Sequence, residues 1–290
     1  MAKLLTGREA ASALTAALHR RTAALAERGV TPKLAILRCG ENESDGAYLR
    51  SAQQRAARCG VVVEVTSLPE TVSREALLSA IDAVNRDASV HGCLLLRPLP
   101  AHFRDAEDAI CNRLLPEKDV DGMTDVSAAG VYLGRPQGFA PCTAEAVTVL
   151  LDHYGIDCAG KRAAVIGRSP VVGRPAAMLL LARNATVTVC HTRTRALSAV
   201  TREADIIVSA AGAAGCLTAA HVRPGQTIID VSANWDAAKN TIVGDADFDT
   251  AASIVDAITP VPGGVGAVTS TVLMRHVVQA AERTLEGGNL

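Results

Sequence analysis

Apolar residues recur at the helical period over residues 8–28, bracketed by Gly7 and Gly29, and predict a first helix there. The run Lys33-Leu-Ala-Ile-Leu-Arg38 reads as a strand, the polar stretch 40–46 as a turn, and residues 47–59 as a second helix. Residues 61–68 then predict a strand, 73–86 a helix, and Gly92-Cys-Leu-Leu-Leu-Arg97 a strand closed by Pro98-Leu-Pro100. Pro141 interrupts the chain in a boundary over residues 138–143, ahead of a helix over 144–154. Beyond it, short apolar runs at 162–166, 185–190, 204–212 and 226–231 alternate with helical or loop segments. That alternation is the signature of βαβ units in a parallel sheet, where ligands bind beyond the carboxyl ends of the strands. A last helix over 269–285 follows a Pro/Gly-rich turn and is expected to pack back on the first half. The chain is therefore expected to be α/β in both halves, the second of Rossmann type.

At 290 residues the chain has length for two cores. A formal net charge of -1 and an aromatic content of 2% argue against a nucleic-acid surface, which needs a basic face and stacking rings. No apolar stretch reaches the length of a membrane span, and residues 1–29 carry Lys3, Arg8, Glu9, Arg20 and Arg21 in an amphipathic pattern rather than a signal core. A cytoplasmic location is expected. Cysteines at 39, 59, 93, 111, 142, 158, 190 and 216 are scattered, with no C-x-x-C pair and no histidine at ligand spacing, so they read as reduced thiols and no metal is expected.

Candidate chemistry centres on Val165-Ile-Gly-Arg-Ser-Pro-Val-Val-Gly-Arg-Pro175. A strand, a glycine turn and a helix start aim backbone N–H groups and the positive end of a helix dipole at one place, which suits a pyrophosphate. The match to G-x-G-x-x-G is imperfect: Ser169 and Val172 stand where glycines would, and Gly173 comes one place later. On these residues alone an ordinary tight turn is an equal reading. After the second strand of this half an NAD site offers an acid to the ribose hydroxyl, whereas this chain has His191-Thr-Arg-Thr-Arg195. Arg168, Thr192 and Arg193 are suited to a ribose phosphate, which favours NADP and leaves NAD open.

Three further motifs, Pro116-Glu-Lys-Asp-Val-Asp-Gly122, Pro141-Cys-Thr143 and Thr259-Pro-Val-Pro-Gly-Gly-Val-Gly266, join this loop. Together they make residues 4–285 resemble the methylenetetrahydrofolate dehydrogenase/cyclohydrolase family. The resemblance implies a subunit, usually in a homodimer, with an N-terminal α/β substrate domain over 1–140, to which a helix over 269–290 returns. A Rossmann-type cofactor domain over 141–268 completes it, and folate and NADP meet in a cleft between the two. It assigns the cofactor loop to Gly167, Arg168, Ser169, Val172, Gly173 and Pro175, to which the reading of the strand end above adds His191, Thr192 and Arg193 as cofactor candidates. It places the pterin against Tyr48 and Asp121, and substrate and nicotinamide beside Pro260, Pro262, Gly263 and Gly264. Out of that context Tyr48 reads as half-buried packing, Asp121 as a turn residue before Gly122, and the prolines and glycines as a tight turn.

The departures from the family pattern bear on mechanism. The family lysine four residues after the tyrosine is Ala52, the glutamine that supports it is Leu96, the following leucine is Arg97, and an asparagine after the Asp-Gly pair is Ser127. Successive strand side chains point to opposite faces, so Arg97 is no substitute for a glutamine at 96. An arginine alone specifies neither an anionic substrate group nor a surface carboxylate as its partner. Loss of the lysine and its partner together predicts an enzyme of one-carbon metabolism in which NADP-dependent hydride transfer survives and cyclohydrolase activity is lost or very weak. Two other readings stay open: a repurposed enzyme oxidising a non-folate carbon–nitrogen bond in a specialised pathway, with Ala52, Leu96, Arg97 and Ser127 in segments lining its substrate cleft, and a non-catalytic nucleotide-binding subunit.

Overall fold

The structure is a computed structural model and describes residues 1–40, 43–135, 137–238 and 240–286, without the side chains of 43–45, 47, 48 and 286. In chain order the elements begin with β1 (Lys3–Leu4), α1 (Gly7–Glu27), β2 (Lys33–Cys39), α2 (Glu43–Cys59), β3 (Val62–Leu68), α3 (Arg74–Arg86), β4 (Gly92–Leu95), α4 (Glu107–Cys111), α5 (Asp125–Leu133) and α6 (Cys142–His153). They continue with β5 (Arg162–Ile166), α7 (Gly173–Leu181), β6 (Thr186–Cys190), α8 (Leu197–Glu203), β7 (Ile206–Ser209), β8 (Thr227–Asp230), β9 (Asn234–Asp236), β10 (Thr241–Val243), α9 (Phe248–Ile254), β11 (Ala257–Ile258) and α10 (Gly266–Glu286). The chain divides into two compact units, one of residues 1–12 and 143–269, the other of residues 13–142 together with the chain from Ser270 onward.

The second of these units is built on a three-stranded parallel sheet in the order β3-β2-β4. Central β2 buries Leu34, Ile36 and Leu37 completely, while β3 at the edge is largely exposed. Helix α3 shows how the sequence drives this packing: Leu77, Ile81 and Val84 repeat at intervals of four and three and are its buried residues, and the Ser73 hydroxyl caps its start by accepting from the Ala76 N–H. Each such aliphatic side chain, fully buried, contributes about 1.5–3 kcal/mol. They join Leu37, Leu95, Phe103 and Ile110 in one core.

The other unit carries a six-stranded sheet, β1-β11-β8-β7-β5-β6, with every neighbouring pair parallel. Its central strands are apolar on both faces, as a parallel sheet covered on both sides requires. Register aligns the strand ends: Ile166 pairs with Cys190 and Ser209, and Ser209 with Asp230. The residues that follow, Gly167, His191, Ala210 and Val231, therefore line up along one carboxyl edge. No helix among the described residues is long and apolar enough to cross a membrane.

Two boundaries differ from the sequence-based expectation. Residues 1–12 join the cofactor-type sheet rather than the first half, because Lys3 and Leu4 pair in register with Ala257 and Ile258 and the Leu5 N–H extends the ladder to the Ile258 carbonyl. The second helix starts at Glu43, not at residue 47. Of α10, the residues from Ser270 onward cluster with 13–142.

Candidate functional site

The glycine loop between β5 and α7 is shaped by steric necessity. Gly167 has φ +116°, and a Cβ there would collide with the Ala210 carbonyl oxygen, while a Cβ at Gly173 would meet the carbonyl of Gly167. Ser169 stands in for a glycine by a different route: its hydroxyl accepts from the N–H groups of Val172 (3.1 Å) and Gly173 (3.4 Å), satisfying the first orphan donors of α7. Pro175 falls in the first helical turn, where its missing N–H costs nothing. Next along the edge, the turn after β6 is held by His191, whose N–H donates to Thr194 Oγ1 (2.8 Å) and whose Nδ1 accepts from the Arg193 N–H (3.1 Å). Arg168, Thr192 and Arg193 are exposed around these turns. Two exposed guanidinium groups, a hydroxyl and a helix N-terminus form a donor set that fits a phosphorylated dinucleotide.

Behind the same edge lies a buried carboxylate hub that sequence reasoning missed. Asp245 accepts from Ser209 Oγ (2.8 Å), Ser232 Oγ (2.7 Å), Asn234 Nδ2 (3.1 Å) and the N–H groups of Ala211 and Ala213 (both 2.8 Å), tying together the segments that follow β7 and β8. Its signal in the sequence was only a Gly-Asp-Ala-Asp run, indistinguishable from a surface turn. Asp230, at the end of β8, accepts from the Ala246 N–H (2.8 Å) and the Ser232 N–H (3.2 Å). A cavity of about 360 Å³ opens beside Asp230, lined by Ile242, Pro260, Pro262, Gly263 and Gly264. The Pro-Gly-Gly turn is clamped by the chain's own start: the Gly7 N–H donates to the Gly263 carbonyl (2.8 Å), and a side chain at Gly7 would strike Gly264. Gly263 has φ +104° and Gly264 lies against Pro260, so neither tolerates a side chain.

In the other unit, the loop carrying Asp119 and Asp121 gives its two carboxylates different tasks. Asp119 is fully buried and accepts from the Met123 and Thr124 N–H groups, Thr124 Oγ1 (2.7 Å) and Ser127 Oγ (2.5 Å). Ser127, in the first turn of α5, is thus a buried strut beneath this loop: its hydroxyl is directed at Asp119 and packed against Gly138. Asp121 keeps 28% of its side chain exposed and meets Arg97, whose Nη2 lies 3.8 Å from Oδ2. The partner of Arg97 is therefore a carboxylate of the candidate site itself. Desolvation pushes the Asp121 carboxyl up to about 6, opposed by the Arg97 charge and reinforced by that of Asp119, with the Cys142 thiol and His276 lowering it. His276, from α10, is held by the Val120 carbonyl (2.8 Å) and stacks on Phe139.

Ala52 is 1% exposed on the side of α2 that also buries Leu49, Ala56 and Cys59, and Leu96 is half-buried just beyond β4. Arg50 points to solvent. The side chain of Tyr48 lies outside the described residues. A second cavity, of about 330 Å³, sits at the carboxyl ends of β2 and β4, lined by Cys39, Gly40, Glu70, Pro98 and Arg104 among others.

The family model described as tetrahydrofolate dehydrogenase/cyclohydrolase, catalytic domain, matches residues 5–121, and that of the NAD(P)-binding domain matches residues 141–285. The bifunctional protein FolD of Alkaliphilus oremlandii is 43% identical over 280 residues, 97% of either chain. The crystal structure of the bifunctional enzyme FolD, a methylenetetrahydrofolate dehydrogenase/cyclohydrolase, from Campylobacter jejuni superposes with a TM-score of 0.93 at 37% identity, covering 98% of this chain and 100% of that one. The Trypanosoma brucei N5,N10-methylenetetrahydrofolate dehydrogenase-cyclohydrolase, solved with NADP cofactor and inhibitor, gives 0.89 at 34% identity, covering 98% of each.

Proposed function

Because the chain belongs to the tetrahydrofolate dehydrogenase/cyclohydrolase family, we propose that it is an NADP-dependent dehydrogenase of methylenetetrahydrofolate whose cyclohydrolase activity is lost or very weak. The observation that carries the loss of cyclohydrolase activity is Ala52. Where the family pattern implies a lysine, the chain has a buried methyl group, and where it implies the supporting glutamine, a leucine. Neither can hold or move a proton. Replacing both avoids leaving a buried polar group without its partner, so the pair reads as remodelled together.

Hydride loss asks less of the protein than ring opening does. A nitrogen lone pair beside the reacting carbon expels the hydride, and the enzyme's work is alignment. Bound NADP supplies the hydride acceptor. On the protein side, Arg168 and Arg193 are assigned to the nucleotide phosphates, and the glycine turn at 263 and 264 leaves room for close backbone approach. Asp121 is assigned to the amino-pyrimidine edge of the pterin and Tyr48 to its ring. Hydrolysis of a methenyl bridge, by contrast, needs an activated water and a proton moved from oxygen to nitrogen, which a positioned acid/base accelerates by about 10²–10⁴-fold. Homodimeric assembly and cytoplasmic location complete the reading, on the strength of the family.

The test is to supply purified protein with methylenetetrahydrofolate and either NADP or NAD and follow reduced nicotinamide and the methenyl product together. Turnover with NADP that accumulates methenyl product is expected. Absence of turnover with intact NADP binding would overturn the substrate assignment.

A further inference from the structure

Arg97 and Asp121 form an acceptor beside a donor, and neither is used up by the fold. Asp119, two residues earlier, has its oxygens filled by four donors of its own loop and is a structural carboxylate. Asp121 is not: it meets the Cys142 thiol and the loose 3.8 Å contact with Arg97. Arg97 donates no hydrogen bond to any described residue beyond that ion contact, although its guanidinium has five N–H groups in a planar fork. Both side chains remain nearly a third exposed, at 29% and 28%.

The ligand edge that complements such a pair presents N–H donors to the carboxylate and, next to them, an oxygen acceptor to the guanidinium. A cyclic amide has that order of groups. In a pterin the 2-amino group, N3–H and the 4-oxo group follow one another along a single edge, so a carboxylate accepting from the first two leaves the oxygen beside it, on the side where a neighbouring cation stands. We propose that Arg97 is a specificity-determining residue that donates to the 4-oxo group of the pterin edge whose N–H groups are taken by Asp121; this rests on the folate reading given above. The residue thereby selects 4-oxo over 4-amino heterocycles, because an amino group at C4 turns a donor toward a cation and leaves the guanidinium unpaired on binding. A purely structural Arg97, one that only neutralises Asp121, has no means of distinguishing the two.

The test compares folic acid with its 4-amino counterpart by calorimetric titration of the full-length protein; exchange of the 4-oxo group also removes the N3 hydrogen that faces Asp121, so the part due to Arg97 is read from the change in the ratio of the two dissociation constants when Arg97 is replaced. Wild-type protein is expected to prefer the 4-oxo compound by about tenfold or more, the range of a hydrogen bond to a charged group. Arg97→Leu is expected to reduce the ratio of the two dissociation constants by about the same factor, and to raise KM for methylenetetrahydrofolate more than it lowers kcat. Arg97→Met, closer in length and equally without a donor, gives the same reading should the leucine variant fold poorly. If both compounds bind and either variant leaves their ratio unchanged, the role assigned to Arg97 is wrong. If neither compound binds wild-type protein while NADP does, the folate reading itself fails, and the inference with it.

Discussion

Asp230 and Asp245 share Ser232 between them, its N–H on one carboxylate and its hydroxyl on the other, and their acidities are shifted in opposite directions. Both are buried, and burial raises each. At Asp245 hydrogen bonds from two serine hydroxyls and two backbone N–H groups outweigh that penalty and hold the carboxyl below its ordinary value. At Asp230 backbone donors alone oppose it, the charge of Asp245 adds to it, and the carboxyl is pushed up to about 6.

Stability therefore depends on pH with two opposite signs. The contribution of Asp245 is present above its unfolded value and lost as pH falls through its folded one; that of Asp230 is present below its unfolded value and lost as pH rises through about 6. Asp245→Asn points an amide N–H₂ at a set of donors and is expected to lower unfolding free energy by about 2–4 kcal/mol at neutral pH. Asp230→Asn is expected to flatten the fall in stability between about pH 4 and pH 6. Denaturant melts across this range check both, and an Asp245→Asn protein as stable as wild type would contradict the hub.

Gly167→Ala and Gly173→Ala test whether the loop's shape carries cofactor affinity. A side chain at 167 must adopt φ +116° and displace the Ala210 carbonyl, a strain of about 1–3 kcal/mol. The expected result is a folded protein whose NADP dissociation constant rises about tenfold or more. Unchanged affinity in both variants would show that the nucleotide does not use this turn.

Much of the cofactor unit was legible in the chain because its strands are continuous apolar runs: the strand over 162–166 has the predicted limits, its neighbour β6 differs by one residue, and β7 stops three residues before the end of its predicted run. Short elements were not. Strands β1, β9 and β10 have two or three residues each, too few for any period, and β1 is defined by a partner more than 250 positions away. The bond of Ser127 was illegible for a different reason. A serine in a sequence carries no sign of where its hydroxyl turns, and only the fold shows it, in the first turn of α5, bonded to Asp119. The partner of Arg97 was likewise undecidable until the loop carrying Asp121 was placed beside it.

Assignment of Asp121 to the pterin edge predicts a pH dependence of binding. Its carboxyl, at about 6, faces Arg97, Asp119, Cys142 and His276, and it must be ionised to accept two N–H groups from a pterin edge. KM for methylenetetrahydrofolate is expected to rise as pH falls through about 6, tending toward a tenfold increase per pH unit below it. Asp121→Asn should abolish that dependence and weaken binding at every pH. A KM flat from pH 5 to 8 in wild-type protein would contradict the assignment.

Arg168→Ala addresses cofactor choice. Removal of one charge-assisted contact to a ribose phosphate is expected to weaken NADP by about tenfold or more and to leave NAD nearly untouched. Equal losses with both nucleotides would place Arg168 elsewhere on the cofactor.

The central claim, hydride transfer without assisted hydrolysis at a site with Ala52 and Leu96, is tested most directly by one progress curve. Protein is mixed with NADP and methylenetetrahydrofolate, and NADPH and methenyl product are read in the same cuvette, with and without an added cyclohydrolase. The account predicts that methenyl product rises mole for mole with NADPH and then decays at the buffer rate, faster only when the second enzyme is present. Formyl product appearing as fast as NADPH, with no methenyl build-up and no added cyclohydrolase, would contradict it.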